Sequence, residues 1–371
     1  LNVVRINYNE QTNQTQQKGA SEMTTLNNHV EVVAKTDELT REQWLEYRRA
    51  GIGGSDAASI LNKSRYKSAF ALWADKRGEI EHEDNTNEAM TWGNELELVV
   101  AQRFAREHHC AVIAFPALLK SKAFPFMFAN VDFFVTFDEA YEKGAVAVFE
   151  GDVADLPKII SILEIKTTGI VGRASRAWDD DNVPPAYDLQ GQHYSIVCGV
   201  ESVIYAALVA GQGLQVRVRL YNSPEQNKEL IDAERAFWSM VQSGEAPEVD
   251  GTESSFDTIK ALHPSSIEGT SVEADDFLLA TIAEYNDAKN QFDAIEARVE
   301  ELRAKIVFAI GDAEMLTHDA VVLATYKSTK SGTTVDTKAL VAHLKETSPE
   351  VVEQYTKTKN GYRVLRFKEG N

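Results

Sequence analysis

Glu164 and Lys166 stand two apart in the run LEIKTT. In a strand, alternate side chains leave on one face. This carboxylate and this ammonium therefore point the same way, with Leu163 and Ile165 on the opposite face. Asp132 lies in another β-rich run, ANVDFFV, as the one acid among apolar neighbours. A carboxylate so placed needs a partner or a cation to offset the cost of leaving water. On adjacent strands, Asp132 and Glu164 present the oxygen set that a hard divalent cation takes, with a backbone carbonyl and water to complete it. Magnesium there polarises a phosphate and lowers the pKa of a bound water. The lysine orients or deprotonates that water and offsets charge in the transition state. Glu97, within WGNELE, and Gln190, within PPAYDLQGQHY, are further candidates for the same place. An isolated Glu-x-Lys also has a bland reading, an ion pair on a solvated strand face.

The elements that must hold these residues can be read from periodicity. Thr40 is placed to cap a short helix carrying Trp44 and Tyr47. The run GIGGSDAASIL turns sharply into a helix near Ser55 or Asp56. A second helix is expected over 68–78 and a longer one over 88–109, with Met90, Leu96, Val99, Val100 and Phe104 on an apolar stripe. Between 110 and 170 the segments CAVIAF, FMFANVDFFVTF, GAVAVFEG and IISILEIKTT are short and rich in β-branched and aromatic residues, and read as successive strands. Two prolines open a helix over 185–199, ESVIYAALVAG and LQVRVRLYN form a further strand pair, and a helix follows over 224–243.

From 274 to 310 apolar residues recur in sevens. Leu278, Tyr285, Phe292, Val299 and Ile306 form one series, and Thr281, Ala288, Ile295, Leu302 and Ala309 its companion. Such a helix either folds back on the rest of its own chain or pairs with another. Beyond it, AVVLATYKS and YRVLRF flank a helix over 336–346, which suggests a small α+β cap. The expected divisions are a disordered segment over 1–38, a main domain over 39–250, and a helical, coiled-coil-like extension with its cap over 251–371.

The 371 residues include 38 basic and 57 acidic side chains, for a net charge of −19. More than half of the excess lies after residue 221. That balance argues against non-specific nucleic-acid binding, which rests on cations meeting phosphate. A nucleic-acid enzyme of this composition needs a local basic path and a cation at its site. Two cysteines exclude a disulfide framework and a four-cysteine metal or iron–sulfur site. No apolar run is long enough to span a bilayer, and the opening residues show no apolar signal-type segment, so a cytoplasmic protein with no membrane partner is expected.

The order of the motifs adds a resemblance. Trp44, Arg48 and Ser55 precede Gly93 and Glu97; Asp132, Glu164 and Lys166 follow, then Tyr187 and Gln190. With the phrases RRAGIGGSDAASIL, NKSRYKSAFALWADKRG, AMTWGNELE, LEIKTT and PPAYDLQGQHY, this resembles the YqaJ-like viral recombinase family, relatives of lambda exonuclease, over about residues 41–205. The resemblance implies an α/β fold with a restriction-endonuclease-like core, a central mixed sheet flanked by helices. It implies a magnesium-dependent (or manganese-dependent) exonuclease that resects double-stranded DNA ends from 5′ to 3′, so that the main domain is a nuclease domain. Asp132 and Glu164 would be metal ligands with the carbonyl of Ile165. Lys166 would be the catalytic lysine, Glu97 would assist the metal or its waters, and Gln190 would orient the lysine, the water or the phosphate. Arg48 and Ser55 would hold the 5′-phosphate, a role that also suits a guanidinium fork beside a helix start. Implied partners are a single-strand annealing protein and further copies of the chain in a ring-shaped trimer, in a phage or mobile-element recombination system of a bacterial cytoplasm. One departure is local: the family's short turn at the metal-binding aspartate reads NVDFF here. A structure-specific endonuclease on the same core, or a non-catalytic DNA-end or protein-binding module, are the rival readings.

Other residues carry weaker signals. Trp178 in RAWDDDN could stack on a base, although the three aspartates after it would repel a phosphate backbone. Arg65, between Lys63 and Lys67, belongs either to a phosphate track or to a solvated surface. His193 reads as a helix-surface histidine, and the adjacent His108, His109 and Cys110 point in different directions, which disfavours a metal site.

Overall fold

Alternating apolar strands in the middle of the chain build the sheet that carries the candidate residues. The structure is a computed structural model, and it describes residues 26–81, 87–169, 178, 181–357, 361 and 363–367. The chain divides into two units, Leu1–Pro264 and Ser265–Asn371.

In the first unit, a six-stranded mixed sheet is formed by β3 (Ala111–Ala114), β6 (Phe133–Thr136), β7 (Val146–Val148), β8 (Ser161–Thr168), β9 (Ser202–Val209) and β10 (Gly213–Leu220), in the order β10-β9-β8-β6-β3-β7. Strand β8 runs parallel to β9 and antiparallel to β6. A smaller sheet has the order β1-β4-β5-β2, from β1 (Val30–Lys35), β2 (Ile52–Gly53), β4 (Ala117–Ser121) and β5 (Met127–Ala129). Five helices matter to the site and its supports: α1 (Arg41–Arg49), α2 (Gly54–Ile60), α3 (Ala69–Lys76), α4 (Glu88–His108) and α5 (Pro185–Cys198).

The period-2 pattern of β8 explains how the large sheet is covered on both faces. Leu163 and Ile165 pack with Val100, Phe104 and Ala105 of α4. Ile162 points to the other face and packs with Tyr194, Val197 and Cys198 of α5. Helix α5 can lie this close because Gly191 has no side chain: a Cβ there would stand 1.8 Å from the Tyr205 hydroxyl of β9. A third cluster joins Ile52, Leu72 and Trp73 to Phe237 and Val241 of α6 (Pro224–Ser243). Helix α1 is closed by a capping box between Thr40 and Gln43, as its sequence suggests.

Several expectations need correction. Residues 1–25 lie outside the described residues, but the remainder of the segment expected to be disordered is ordered: a turn at Leu26–His29 leads into β1, which pairs antiparallel with β4. Pairing supplies the order that the polar composition of this segment conceals. The run FMFANVDFFVTF is two strands, β5 in the small sheet and β6 in the large one, with a bend at Asp132 between them. Helix α7 (Glu253–Leu262) belongs to the first unit, where Ser255 donates to Ser68 at 2.9 Å, so the division falls later than residue 250.

The second unit contains α8 (Asp276–Ile310), a hairpin of β11 (Met315–His318) and β12 (Val321–Thr325), α9 (Thr337–Thr347) and α10 (Pro349–Tyr355). Residues 363–367, expected as a strand, are not in one. Among the described residues no helix is long and apolar enough to cross a membrane.

Candidate active site

Register brings the two carboxylates together. Phe133 of β6 faces Leu163 of β8, so one step further along these antiparallel strands Asp132 comes opposite Glu164. Asp132 sits where the chain leaves the small sheet for the large one. Its Oδ2 accepts the backbone N–H of Ile165 at 2.9 Å. Glu164 is completely buried. Its Oε2 accepts from Lys166 Nζ at 2.8 Å and from Gln190 Nε2 at 3.2 Å, whereas its buried Oε1 has no hydrogen-bond partner. Gln190 comes from α5 and also donates to the Tyr194 hydroxyl at 3.2 Å. The Lys166 ammonium lies 5.2 Å from the centre of the Tyr187 ring, a cation–π contact.

The electrostatics of this place are unusual. Burial, and then the neighbouring Asp132 charge, push the Glu164 carboxyl up to about 8. Glu97 of α4 is raised to about 7 for the same two reasons in the same order. Burial raises Asp132 as well. Lys166 shows the reverse balance: burial works against its charge, but Glu164 and Asp132 outweigh it and raise its pKa. Among the described residues, several acids share one low-dielectric place with a single ammonium, an arrangement that costs free energy unless further positive charge arrives.

Arg48 of α1 donates to the Ser55 hydroxyl of α2 at 3.2 Å. It also stands 3.6 Å from the carboxylate of Asp56, which is buried with Lys76 of α3 at 2.6 Å. Burial alone would raise Asp56, but Lys76 and then Arg48 overcome it and bring it to about 2. The same carboxylate caps α2 by accepting the Gly53 N–H at 2.9 Å. A cleft of about 210 Å³ joins this cationic corner to the acidic one: its walls include Trp44, Arg48, Ser55, Asn130, Asp132 and Gln190.

The sequence expectations therefore separate into two groups. Asp132, Glu164, Ile165, Lys166 and Gln190 meet directly, Glu97 faces them through its charge, and Arg48 and Ser55 meet each other on the same cleft. Trp178 does not present a face to a base. It is 2% exposed, stacked on Tyr187 at 5.9 Å, with its carbonyl held by Arg217 at 2.6 Å. Arg65 is exposed, and its neighbour Lys67 is paired with Asp75 at 2.8 Å. His193 is not on a surface. Its Nδ1 meets Glu234 at 2.8 Å and its Nε2 meets the Phe128 carbonyl at 2.8 Å; burial works against the charge of the ring, but Glu234 outweighs it and raises its pKa.

Sequence reasoning missed Tyr194, Asp56 and Lys76. A tyrosine four residues after Gln190 on a helix shares its face, which was a usable signal. Nothing local marks the Asp56–Lys76 pair, because it forms between two helices.

Against this geometry the relatives can be placed. The sequence matches the YqaJ-like viral recombinase domain over residues 43–201. It is 31% identical over 291 residues to the uncharacterized protein YqaJ of Bacillus subtilis (strain 168), covering 76% of this chain and 82% of that protein. The chain belongs to the YqaJ-like viral recombinase family. The family match spans α1 to α5 and thus every candidate residue named above. Two solved structures of an alkaline exonuclease from Laribacter hongkongensis, LHK-Exo, are also similar. One is of the protein by that description and one is in complex with dAMP, at 17% and 18% identity. Each has a TM-score of 0.41 and covers 55% of this chain and 93% of the other.

Proposed function

We propose that this chain is a magnesium-dependent exonuclease that resects double-stranded DNA ends from 5′ to 3′ on a restriction-endonuclease-like core. The observation that carries the reading is Glu164. It is a fully buried carboxylate opposite Asp132, with Oε2 held by Lys166 and Gln190 and Oε1 left without a partner. A structural ion pair would satisfy both oxygens.

The donor set fits a hard divalent cation. Among the described residues, no three His, Cys, Asp or Glu side chains gather closely enough to hold an ion by themselves. The set is instead two carboxylates, Asp132 and Glu164, with the carbonyl of Ile165 and water, which is how magnesium is commonly held. When bound, the cation supplies charge to the scissile phosphate and makes a bound water acidic; manganese would serve similarly. The chain's own residues do the remainder. Lys166, charged beside two acids, is placed to donate to a phosphate oxygen or to orient the water. Gln190 fixes Glu164 from α5. Glu97, raised to about 7, exchanges its proton near neutral pH and is suited to handling a water of the metal.

The cleft supports an end-directed enzyme. Arg48 and Ser55 line the cleft that Asp132 also lines. A terminal phosphate gripped there places the adjacent phosphodiester toward the acids, and phosphate recognition by a guanidinium fork supplies the preference for 5′ ends. Processivity, a ring-shaped trimer and delivery of the 3′ strand to a single-strand annealing protein belong to the same proposal, as does a place in phage or mobile-element recombination in a bacterial cytoplasm.

The test is digestion of linear duplex DNA labelled at each strand end separately, with closed circular duplex alongside, in magnesium and in EDTA. Magnesium-dependent loss from 5′-phosphorylated ends with the circle intact is expected. Cutting of the circle would replace the reading with an endonuclease. Absence of cleavage in magnesium and manganese would leave a binding module.

A further inference from the structure

Within the second unit, the 35-residue helix α8 leaves its heptad seam open. Leu278, Tyr285, Phe292, Ile295, Val299 and Leu302 are each between 41% and 64% exposed. One ring of the C-terminal tail, Phe367, stacks on Tyr285 at 4.7 Å, and it leaves Tyr285 half exposed. An apolar stripe of this length, about 50 Å at 1.5 Å per residue, is unusual on a lone helix and is the mark of a coiled-coil partner. We infer that α8 pairs antiparallel with α8 of a second copy of this chain.

Residue size and charge both choose that partner and that direction. Take the Leu278 series as position a and the Thr281 series as position d. An antiparallel pair centred between Asp293 and Ala294 sets a against d. Tyr285 then meets Leu302 of the second copy, Phe292 meets Ile295, and Val299 meets Ala288, so that large residues face smaller ones in each layer. The flanking positions become e against e and g against g. Lys289 falls opposite Glu296 of the second copy, and Glu284 opposite Lys305, each pair occurring twice by symmetry. No like charges meet. A parallel pair in register would set Tyr285 on Tyr285, Phe292 on Phe292 and Ala288 on Ala288. It would gain Glu284 against Lys289 but place Arg298 against Arg303. In the single chain Lys289 is paired with Asp293 and Lys305 with Glu301 on their own helix. These exposed pairs cost little to exchange.

The inference is independent of the catalytic proposal. It also constrains the assembly: a two-fold contact cannot lie within a three-fold ring, so it would join two rings, and the native mass would be an even multiple of the chain's.

The experiment uses the full chain in two forms with one added cysteine each, Val299→Cys and Ala288→Cys; the native Cys110 and Cys198 are buried. In the antiparallel pair these two positions share a layer, whereas each lies about 16 Å along the axis from its own counterpart, beyond disulfide reach. Mild oxidation of the mixture should crosslink one form to the other, and neither form to itself. Self-crosslinking of Val299→Cys would establish a parallel pair and overturn the inference. Absence of any crosslink, with the wild-type mass at an odd multiple of the chain, would overturn it as well. Lys289→Glu should weaken self-association about ten-fold or more in sedimentation, and the double variant Lys289→Glu with Glu296→Lys should restore it. Failure of that restoration would remove the charge argument for the register.

Discussion

At the scale of single residues, the site is defined by an imbalance of charge, and two consequences follow. Replacing Lys166 by Ala removes the ammonium shared by Glu164 and Asp132, so cleavage should fall by about 10²-fold or more while duplex binding is largely kept, as band-shift and turnover assays would show. The acids also link stability to pH. Glu164 and Glu97 hold their protons in the fold up to about 8 and about 7, above the 4.5 of an ordinary glutamate. Between those limits the folded chain binds more protons than the unfolded one, so stability falls as pH rises. Metal-free protein should therefore melt lower at pH 8 than at pH 6, and magnesium should raise the melting temperature more at pH 8. Glu164→Gln should flatten both trends; a melting temperature that ignores magnesium at pH 8 would falsify the metal assignment. Elsewhere in the same cleft, Arg48→Ala should reduce the preference for a 5′-phosphorylated over a 5′-hydroxyl end, read as a ratio of kcat/KM. Equal loss on both ends would make Arg48 a support for Asp56 instead.

At the scale of elements, the acidic corner depends on how closely α5 lies on β9. Gly191→Ala places a methyl against the Tyr205 hydroxyl, and the overpacked helix should lose about 1–3 kcal/mol of stability in denaturant titration. Since Gln190 is the adjacent residue on α5, kcat should drop with it more than KM rises. Most elements near the site were legible from local pattern: β8 from its alternation, α5 from its paired prolines, α1 from its Thr40 cap. The failures have a common cause. Strand β1 (VEVVAK) follows a long polar stretch and β4 is short, and each is ordered by pairing with the other. The run around Asp132 looks continuous because both of its halves are apolar, and only the separate partners of β5 and β6 split it. Trp178 and His193 sit in segments of polar composition, yet neighbours distant in sequence bury both.

At the scale of the whole molecule, almost all of the buried core lies before residue 264: the three hydrophobic clusters draw no residue from beyond Leu262. A chain ending at Pro264 should therefore fold cooperatively and keep the cleft, with a single transition in calorimetry and, on the proposed function, cleavage of short duplexes. Among the described residues, the second unit by itself has few buried side chains.

The sequence by itself determined which residues are candidates for chemistry, the strand that places Glu164 and Lys166 on one face, the family, and the seven-residue repeat of α8. These depend on spacing of a few residues, where backbone geometry leaves little choice. Only the tertiary structure decided that Asp132 faces Glu164 across a strand pair, that Glu164 Oε1 has no partner, that Asp56 and Lys76 underpin Arg48, and that Trp178 and His193 are buried. Each of those facts depends on register or burial between segments far apart in the chain. Local preferences do not encode them; packing and the pairing of buried polar groups do.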